Sequence, residues 1–332
     1  MSRRIPWTER SRRGRAIADI LLGCYPRFVF GGGLPSSILP VFHFHSVTPA
    51  YLRPFLEHLA RHDYRTPGVD EFLEIVAGRD SVPGRCVLLC FDDAWSSVWT
   101  VAAPLLRACD FRAVTFAIPG RVSTAGGLRP EAGPDTPAEA VDAGPEPFAR
   151  WDELRALDQE GVVEVEAHTF AHARVPVGSE PVGRWTAEAI AATPLLSRPV
   201  VEEGGRIRPI GEGEAGAPRR VMRPRMAEAR AWLEEEGRAE TPGEAAAAVR
   251  ADLERCRRSL EAELGRPSRL LCFPWAVAGR TARLEARAAG FEAAFSDRFP
   301  GRRYVRPGDD PFRLMRLKHE WLPRLPGSAE RV

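Results

Sequence analysis

The chain has 332 residues, of which 28% are charged and 44% hydrophobic, and a formal net charge of +2. At about 150 residues per domain this supports one large domain or two ordinary ones, and the balance excludes a wholly disordered chain or a membrane bundle. Positive charge is dense only near the start, where Arg3, Arg4, Arg10, Arg12, Arg13 and Arg15 face the single acid Glu9, so no nucleic-acid partner is indicated.

Residues 1–37 read as a basic N-terminal extension. Its best apolar stretch, Ile17 to Cys24, is interrupted by Asp19, runs into Tyr25-Pro26-Arg27, and is too short for a secretory signal or a membrane span. The six cysteines form no Cys-x-x-Cys pair and no disulfide-framework spacing, as expected of a reducing compartment. The expectation is a cytoplasmic protein whose arginine-rich start is either solvated or in peripheral contact with an anionic membrane surface.

From Ile38 apolar runs alternate with helix-like stretches, the pattern of an α/β domain around a parallel sheet. Ile38 to His45 predicts a strand. Tyr51 to Arg61, with Leu52, Phe55, Leu56 and Leu59 at helical spacing, predicts a helix against it. Cys86 to Phe91 has no polar face and predicts a central strand buried on both sides. A helix from Val98 to Arg107, a strand from Ala113 to Ile118, and a helix from Trp151 to Glu160 ended by Gly161 follow. Strands at Val162–Ala167, Leu270–Phe273 and Phe291–Phe295, with a helix from Thr281 to Ala289 before the last, complete a barrel or a doubly wound sheet. Two stretches break the rhythm: about 123–147, rich in Gly, Pro and acids, and about 175–245, with Pro/Gly segments and an Arg/Glu-rich helical piece. Both read as insertions within a domain spanning 38–332.

Two constellations carry chemistry. Phe91-Asp92-Asp93 stands at the exit of the apolar run, where adjacent carboxylates repel unless a cation or donors hold them. On a regular strand they would point opposite ways, so sharing a site requires a bend; capping of the next helix is the structural alternative. His168-Thr169-Phe170-Ala171-His172 follows a strand, and its histidines meet on one face if the segment makes a helical turn. With seven histidines in the chain, a chance pair remains open. Together the segments offer a carboxylate and two imidazoles at different strand ends. Such a set with open positions suits a catalytic zinc or similar divalent ion, which acidifies water and polarises a carbonyl, leaving one aspartate as a general base for hydrolysis.

These residues also carry a resemblance. Cys90-Phe91-Asp92-Asp93 resembles the TFDD block of the polysaccharide deacetylases (the NodB-homology, carbohydrate esterase family), and His168 to His172 their H-[ST]-x-x-H block. Phe44-His45-Ser46-Val47 is similar to the opening block of the exopolysaccharide branch, with Phe55, Leu59, Tyr64 and Glu71-Phe72 where that branch has a helix and a second strand. Phe273-Pro274-Trp275, Gly290 to Phe295 and Leu317-Lys318-His319 resemble its later blocks. The resemblance implies a distorted (β/α) barrel of about seven parallel strands that hydrolyses the acetamide of an N-acetylated sugar in a polysaccharide, oligosaccharide or lipid-linked precursor. It implies one divalent ion, Zn2+ first and Co2+, Ni2+ or Fe2+ after it, on Asp93, His168 and His172. Asp92 would be the base and His319 the acid, with Phe273, Pro274, Trp275 and Leu317 at the substrate and a Trp275 backbone amide at the oxyanion.

The chain departs from the family pattern in places. Ala94 and Ala276 replace common glycines, which predicts that the backbone avoids positive φ at both. Cys272 stands where some members carry an arginine that orients the base. Asp297 is the nearest candidate for an acid partner of His319. Two other readings stay open: an amidohydrolase-like hydrolase with a metal on His43 and His45, where His45 would otherwise be a supporting residue, and a non-catalytic glycan-binding relative. Trp95 and Trp99 read as a packed helix face; Trp275, Trp321 and Trp185 are candidates for stacking on a sugar.

Overall fold

The computed structural model describes residues 20–133, 146–296 and 302–327. The basic stretch around Arg3 to Arg15, the middle of the first insertion and Asp297 lie outside them.

Seven parallel strands form one sheet: β1 Val41–Phe44, β2 Leu88–Asp93, β3 Ala113–Ala117, β4 Val163–Ala167, β5 Leu270–Cys272, β6 Ala293–Phe295 and β7 Leu317–Lys318. Their order is β6-β5-β4-β3-β2-β1-β7. The sheet curls so far that the last segment touches both edges: Leu314 bridges Phe295 of β6, and Leu317 pairs with Phe42 of β1. This is the expected seven-stranded distorted barrel. β2 is the buried centre, every residue of it covered, because Leu88 to Phe91 offer apolar groups to both faces.

The helices lie where apolar spacing and caps put them. α1 (Pro49–Arg61) buries Leu52, Leu56 and Leu59, and its first turn donates from Tyr51 N to the Thr48 hydroxyl at 3.3 Å. α2 (Val69–Val76) stands where the resemblance implied a second strand; Phe72, Leu73, Ile75 and Val76 cover the sheet, and Glu164 of β4 accepts from Val69 N at 2.7 Å. The predicted helix from Val98 is a π-type turn, Val98–Ala102, leading into α3, Ala103–Ala108. α4 (Trp151–Glu160) ends at Gly161, whose φ of 70° permits the left-handed cap. α5 (Pro242–Leu264), for which no element had been predicted, buries Val249, Leu253, Cys256 and Leu260 and opens with a Thr241–Glu244 capping box. α6 (Arg280–Ala288) precedes Gly290. None of the helices described is long and apolar enough to cross a membrane.

The second insertion is not helical in the way its Arg/Glu content suggested. Only Ala187–Ala192 forms an α-helix there; the rest is largely two-stranded antiparallel ribbon, including Arg174–Val177 with Val221–Pro224 and Val200–Glu203 with Arg206–Pro209. The alternating charges pair across turns, Arg208 with Glu203 and Glu214 and Arg220 with Glu234.

Candidate active site

Because the strands are parallel, their C-terminal ends share one rim. That rim receives His45 after β1, Asp92 and Asp93 from β2, His168 after β4, Trp275 after β5 and His319 after β7. The adjacent aspartates do reach a common site, because the chain bends as it leaves β2: φ is 72° at Asp93 and 50° at Ala94. The expectation that alanines would avoid positive φ is therefore corrected at both places, since Trp275 and Ala276 also lie at 54° and 55°. Held where only glycine is relaxed, these backbones are strained by the packing around them, as is common at functional sites.

Asp93, His168 and His172 converge. One ligand atom from each lies within 4.8 Å of the others, and all three residues are buried. The histidines meet without the helical turn predicted from their spacing: Thr169 and His172 adopt φ of 65° and 49°, and His172 N donates to the Thr169 hydroxyl at 3.1 Å. Asp252 of α5 holds the turn by accepting from Phe170 N at 2.9 Å and Ala171 N at 3.2 Å. Its burial pushes the carboxyl up to about 6 against the pull of those N–H groups. His168 Nδ1 donates to the Cys272 carbonyl at 2.7 Å, so its Nε2, 3.3 Å from Asp93 Oδ1, presents a lone pair. His172 Nε2 is 3.6 Å from the same oxygen. Burial drives the His172 pKa down to about 3, while at His168 burial is outweighed by Asp93 and the value is raised. An acid and two imidazoles converging in this way are a donor set that suits a zinc-class ion.

Asp92 is built differently. Arg316 grips it with Nη1 on Oδ1 at 2.7 Å and Nη2 on Oδ2 at 2.8 Å, and the guanidinium lies between the rings of Phe116 and Phe295. Burial alone would raise the Asp92 carboxyl, but the charge and hydrogen bonds of Arg316 hold it far below the usual carboxylate range. The arginine that pairs with Asp92 thus comes from the segment before β7, and not from the position of Cys272, where some members of the resembled family carry one. The sequence signal was an arginine inside the apolar run Leu314-Met315-Arg316-Leu317. Neither aspartate caps a helix through the contacts described; Asp93 Oδ2 accepts from Trp95 Nε1 at 3.0 Å, which brings to the site a tryptophan read from sequence as packing alone.

His43 Nδ1 and His45 Nε2 both lie 3.9 Å from Asp92 Oδ2. These three groups could also hold an ion, but both Asp92 oxygens pair with Arg316, whose charge opposes a cation there. Burial and Arg316 push His43 down to about 3, whereas the His45 ring is 56% exposed. His319 is engaged at both nitrogens: Nδ1 donates to the His43 carbonyl at 3.1 Å and Nε2 accepts from the Tyr51 hydroxyl. Burial lowers its pKa despite the His43 contact, and its ring stacks on Phe44. Trp275 lies against His172, ring centroids 4.2 Å apart. Phe273 and Leu317 are buried in the core and offer no side-chain surface to a sugar; Pro274, also buried, opens the turn that presents Trp275. Trp185 is buried inside the second insertion and Trp321 packs on Tyr25.

The curled seven-stranded sheet and the buried Asp-His-His cluster on its strand-end rim can be set beside known proteins. Residues 79–207 match the polysaccharide deacetylase family, so the resemblance read from the Asp92–Asp93 and His168–His172 blocks is borne out. Over 127 residues the chain is 29% identical to the poly-beta-1,6-N-acetyl-D-glucosamine N-deacetylase of Escherichia coli K12, a match covering 38% of this chain and 18% of that protein. The chain thus aligns with less than a fifth of this curated relative.

Among solved structures, a de-N-acetylase from Aggregatibacter actinomycetemcomitans superposes with a TM-score of 0.58 at 19% identity over 85% of this chain and 96% of that one. The BpsB deacetylase domain from Bordetella bronchiseptica gives 0.58 at 19% over 86% and 96%, and IcaB from Ammonifex degensii 0.55 at 19% over 88% and 100%. At that identity the likeness establishes the shared fold.

Proposed function

We propose that the chain is a divalent-metal-dependent N-deacetylase that hydrolyses the acetamide of an N-acetylated hexosamine in a glycan. The observation that carries this reading is the convergence of Asp93, His168 and His172 within 4.8 Å beside a second carboxylate that Arg316 keeps ionised. Asp93, His168 and His172 would hold the ion, zinc by the donor set, which when bound supplies Lewis acidity to the acetamide carbonyl and to water. Asp92, charged at any physiological pH, accepts the proton of the attacking water. The Trp275 amide, in its left-handed turn, donates to the developing oxyanion. The proton for the departing amine comes from His45, because both His319 nitrogens are engaged while His45 stands 3.9 Å from Asp92 with its ring exposed. His319, first expected as the acid, instead buttresses the His43 backbone. Asp297, its suggested partner, lies outside the described residues and has no role here.

The E. coli relative points to an N-acetylglucosamine polymer as the substrate class. Six thiols outside any disulfide suit a reducing compartment, and there a lipid-linked or soluble precursor of such a polymer is the substrate we propose. The test is acetate release from β-1,6-linked N-acetylglucosamine oligomers with zinc, cobalt, nickel or iron(II) added. Release is expected with the wild type and absent with Asp92→Asn, which should keep its metal. Metal content unchanged by Asp93→Ala and His172→Ala would overturn the reading.

A further inference from the structure

Two arginines near the rim are almost wholly buried, and they are treated in opposite ways. Arg316, 2% exposed, is matched by Asp92. Arg121, 6% exposed, has its Nε and both Nη atoms buried with no hydrogen-bond partner. Removing a guanidinium from water without an acceptor is costly, and native proteins seldom leave one so. Burial pulls the Arg121 pKa down to about 10 against the nearby negative charge of Asp93, so it stays charged at neutral pH.

Local structure forces it there. The turn after β3 closes with Arg121 N donating to the Ile118 carbonyl at 2.8 Å. Gly120 is pinned between Phe170 of the histidine turn and Ile207 of the second insertion; a Cβ on it would stand 2.7 Å from the Phe170 carbonyl oxygen and 2.8 Å from Ile207. Arg121 also lines a cavity of about 480 Å³ together with Ser123, Glu146, Phe148 and Arg206. The cavity wall adjoins the metal cluster: Phe148 stacks on Trp95 at 5.0 Å, and Trp95 bonds Asp93. Arg206 is braced by bonds to the Val122 carbonyl and the Thr124 hydroxyl. Glu146, the acid on this wall, is paired to Arg150 at 3.0 Å, so it does not supply the missing acceptor.

We infer that Arg121 is the anchor of an oxyanion subsite next to the metal cluster, which takes a carboxylate or phosphate carried by the glycan substrate. A planar fork of N–H donors matches either group. The inference rests on the deacetylase reading and adds a negative charge to the substrate that reading names.

The test uses the full chain. With the metal stripped by chelator, inorganic phosphate is expected to raise the Tm of the wild type and not that of Arg121→Met. Without phosphate, Arg121→Met should melt at the wild-type temperature or above it, since it removes a buried charge that no hydrogen bond satisfies. No response of the wild type, an equal response of the variant, or a drop of several degrees in the unliganded variant each overturns the subsite. In the metal-loaded protein, acetate release is compared on N-acetylglucosamine oligomers that are neutral, phosphate-bearing or uronate-bearing. Arg121→Met should lose at least tenfold more kcat/KM on one anionic oligomer than on the neutral one, and that oligomer identifies the source of the charge; equal losses on all three overturn the inference. If no oligomer releases acetate, the deacetylase reading falls, while the phosphate titration still decides the subsite.

Discussion

The two sides of the rim do different electrostatic work with similar residues. On the β2–β4 side, Asp93 meets two buried imidazoles, an arrangement that could hold a cation. On the β1–β7 side, Asp92 meets a buried guanidinium and two imidazoles, an arrangement that repels a cation and fixes a negative charge. Neighbouring aspartates in sequence therefore meet opposite partners because the chain bends at Asp93 and Ala94. Composition is shared; the sign of the nearest partner decides the chemistry.

Three substitutions test this division most severely. Asp93→Ala and His172→Ala should remove bound metal and activity together, by three or more orders of magnitude in kcat/KM, with metal read by atomic spectroscopy. Asp92→Asn should lose on the order of 10²–10⁴ in kcat, the usual worth of a positioned base, at full metal occupancy. If Asp92→Asn empties the site while Asp93→Ala does not, the two sides have been exchanged.

Next in size is Arg316→Leu, which leaves the Asp92 charge buried without its partner. Breaking a buried pair from one side costs about 3–5 kcal/mol, to be read by denaturant unfolding. Because Arg316 lowers the folded carboxyl, its stabilisation is present above the ordinary carboxylate range and lost as pH falls through the lowered folded value. The variant lacks that contribution, its Asp92 holds a proton to higher pH, and the acid limb of the kcat/KM profile should move upward. An unmoved limb would detach Asp92 from the proton transfer.

Smaller, and sharper about the β1–β7 side, is the contrast of two histidines. His45→Ala is expected to slow acetamide hydrolysis by about 10²–10⁴ and to slow an activated acetate ester less, since that leaving group needs little protonation. His319→Ala should act within about tenfold and equally on both substrates, through the His43 backbone it supports. The reverse ranking would restore His319 as the acid.

Much of this arrangement was legible in the chain. The apolar run before Asp92 marked the central strand, Gly161 ended its helix as read, and the His168–His172 spacing marked the second half of the cluster. What stayed hidden depends on contacts far apart in sequence or on backbone shape. Arg316 reaches Asp92 across 224 positions, and nothing local links them. Positive φ at Ala94 and Ala276 opposes residue preference and exists because the surrounding packing imposes it. The second insertion misled because alternating Arg and Glu serve a helix face and a two-stranded ribbon equally well. The missed α5 was readable, since Val249, Leu253, Cys256 and Leu260 repeat at helical spacing.

That helix carries the last test. Asp252 touches neither the ligand atoms nor Asp92, yet its two oxygens hold the amides of Phe170 and Ala171 between the histidines. Asp252→Ala leaves those amides without their acceptor, at a cost of about 1–3 kcal/mol, and frees a turn whose Thr169 and His172 backbones are held at positive φ. Outer-shell partners of this kind are typically worth about 10–100-fold in metal affinity. Competition titration with a chelator should therefore show weaker metal binding in Asp252→Ala, with Asn intermediate because its amide offers one acceptor oxygen for two N–H groups. If stability falls while the metal affinity stays at the wild-type value, the histidine turn is held by Thr169 and Gly120, and α5 contributes packing alone.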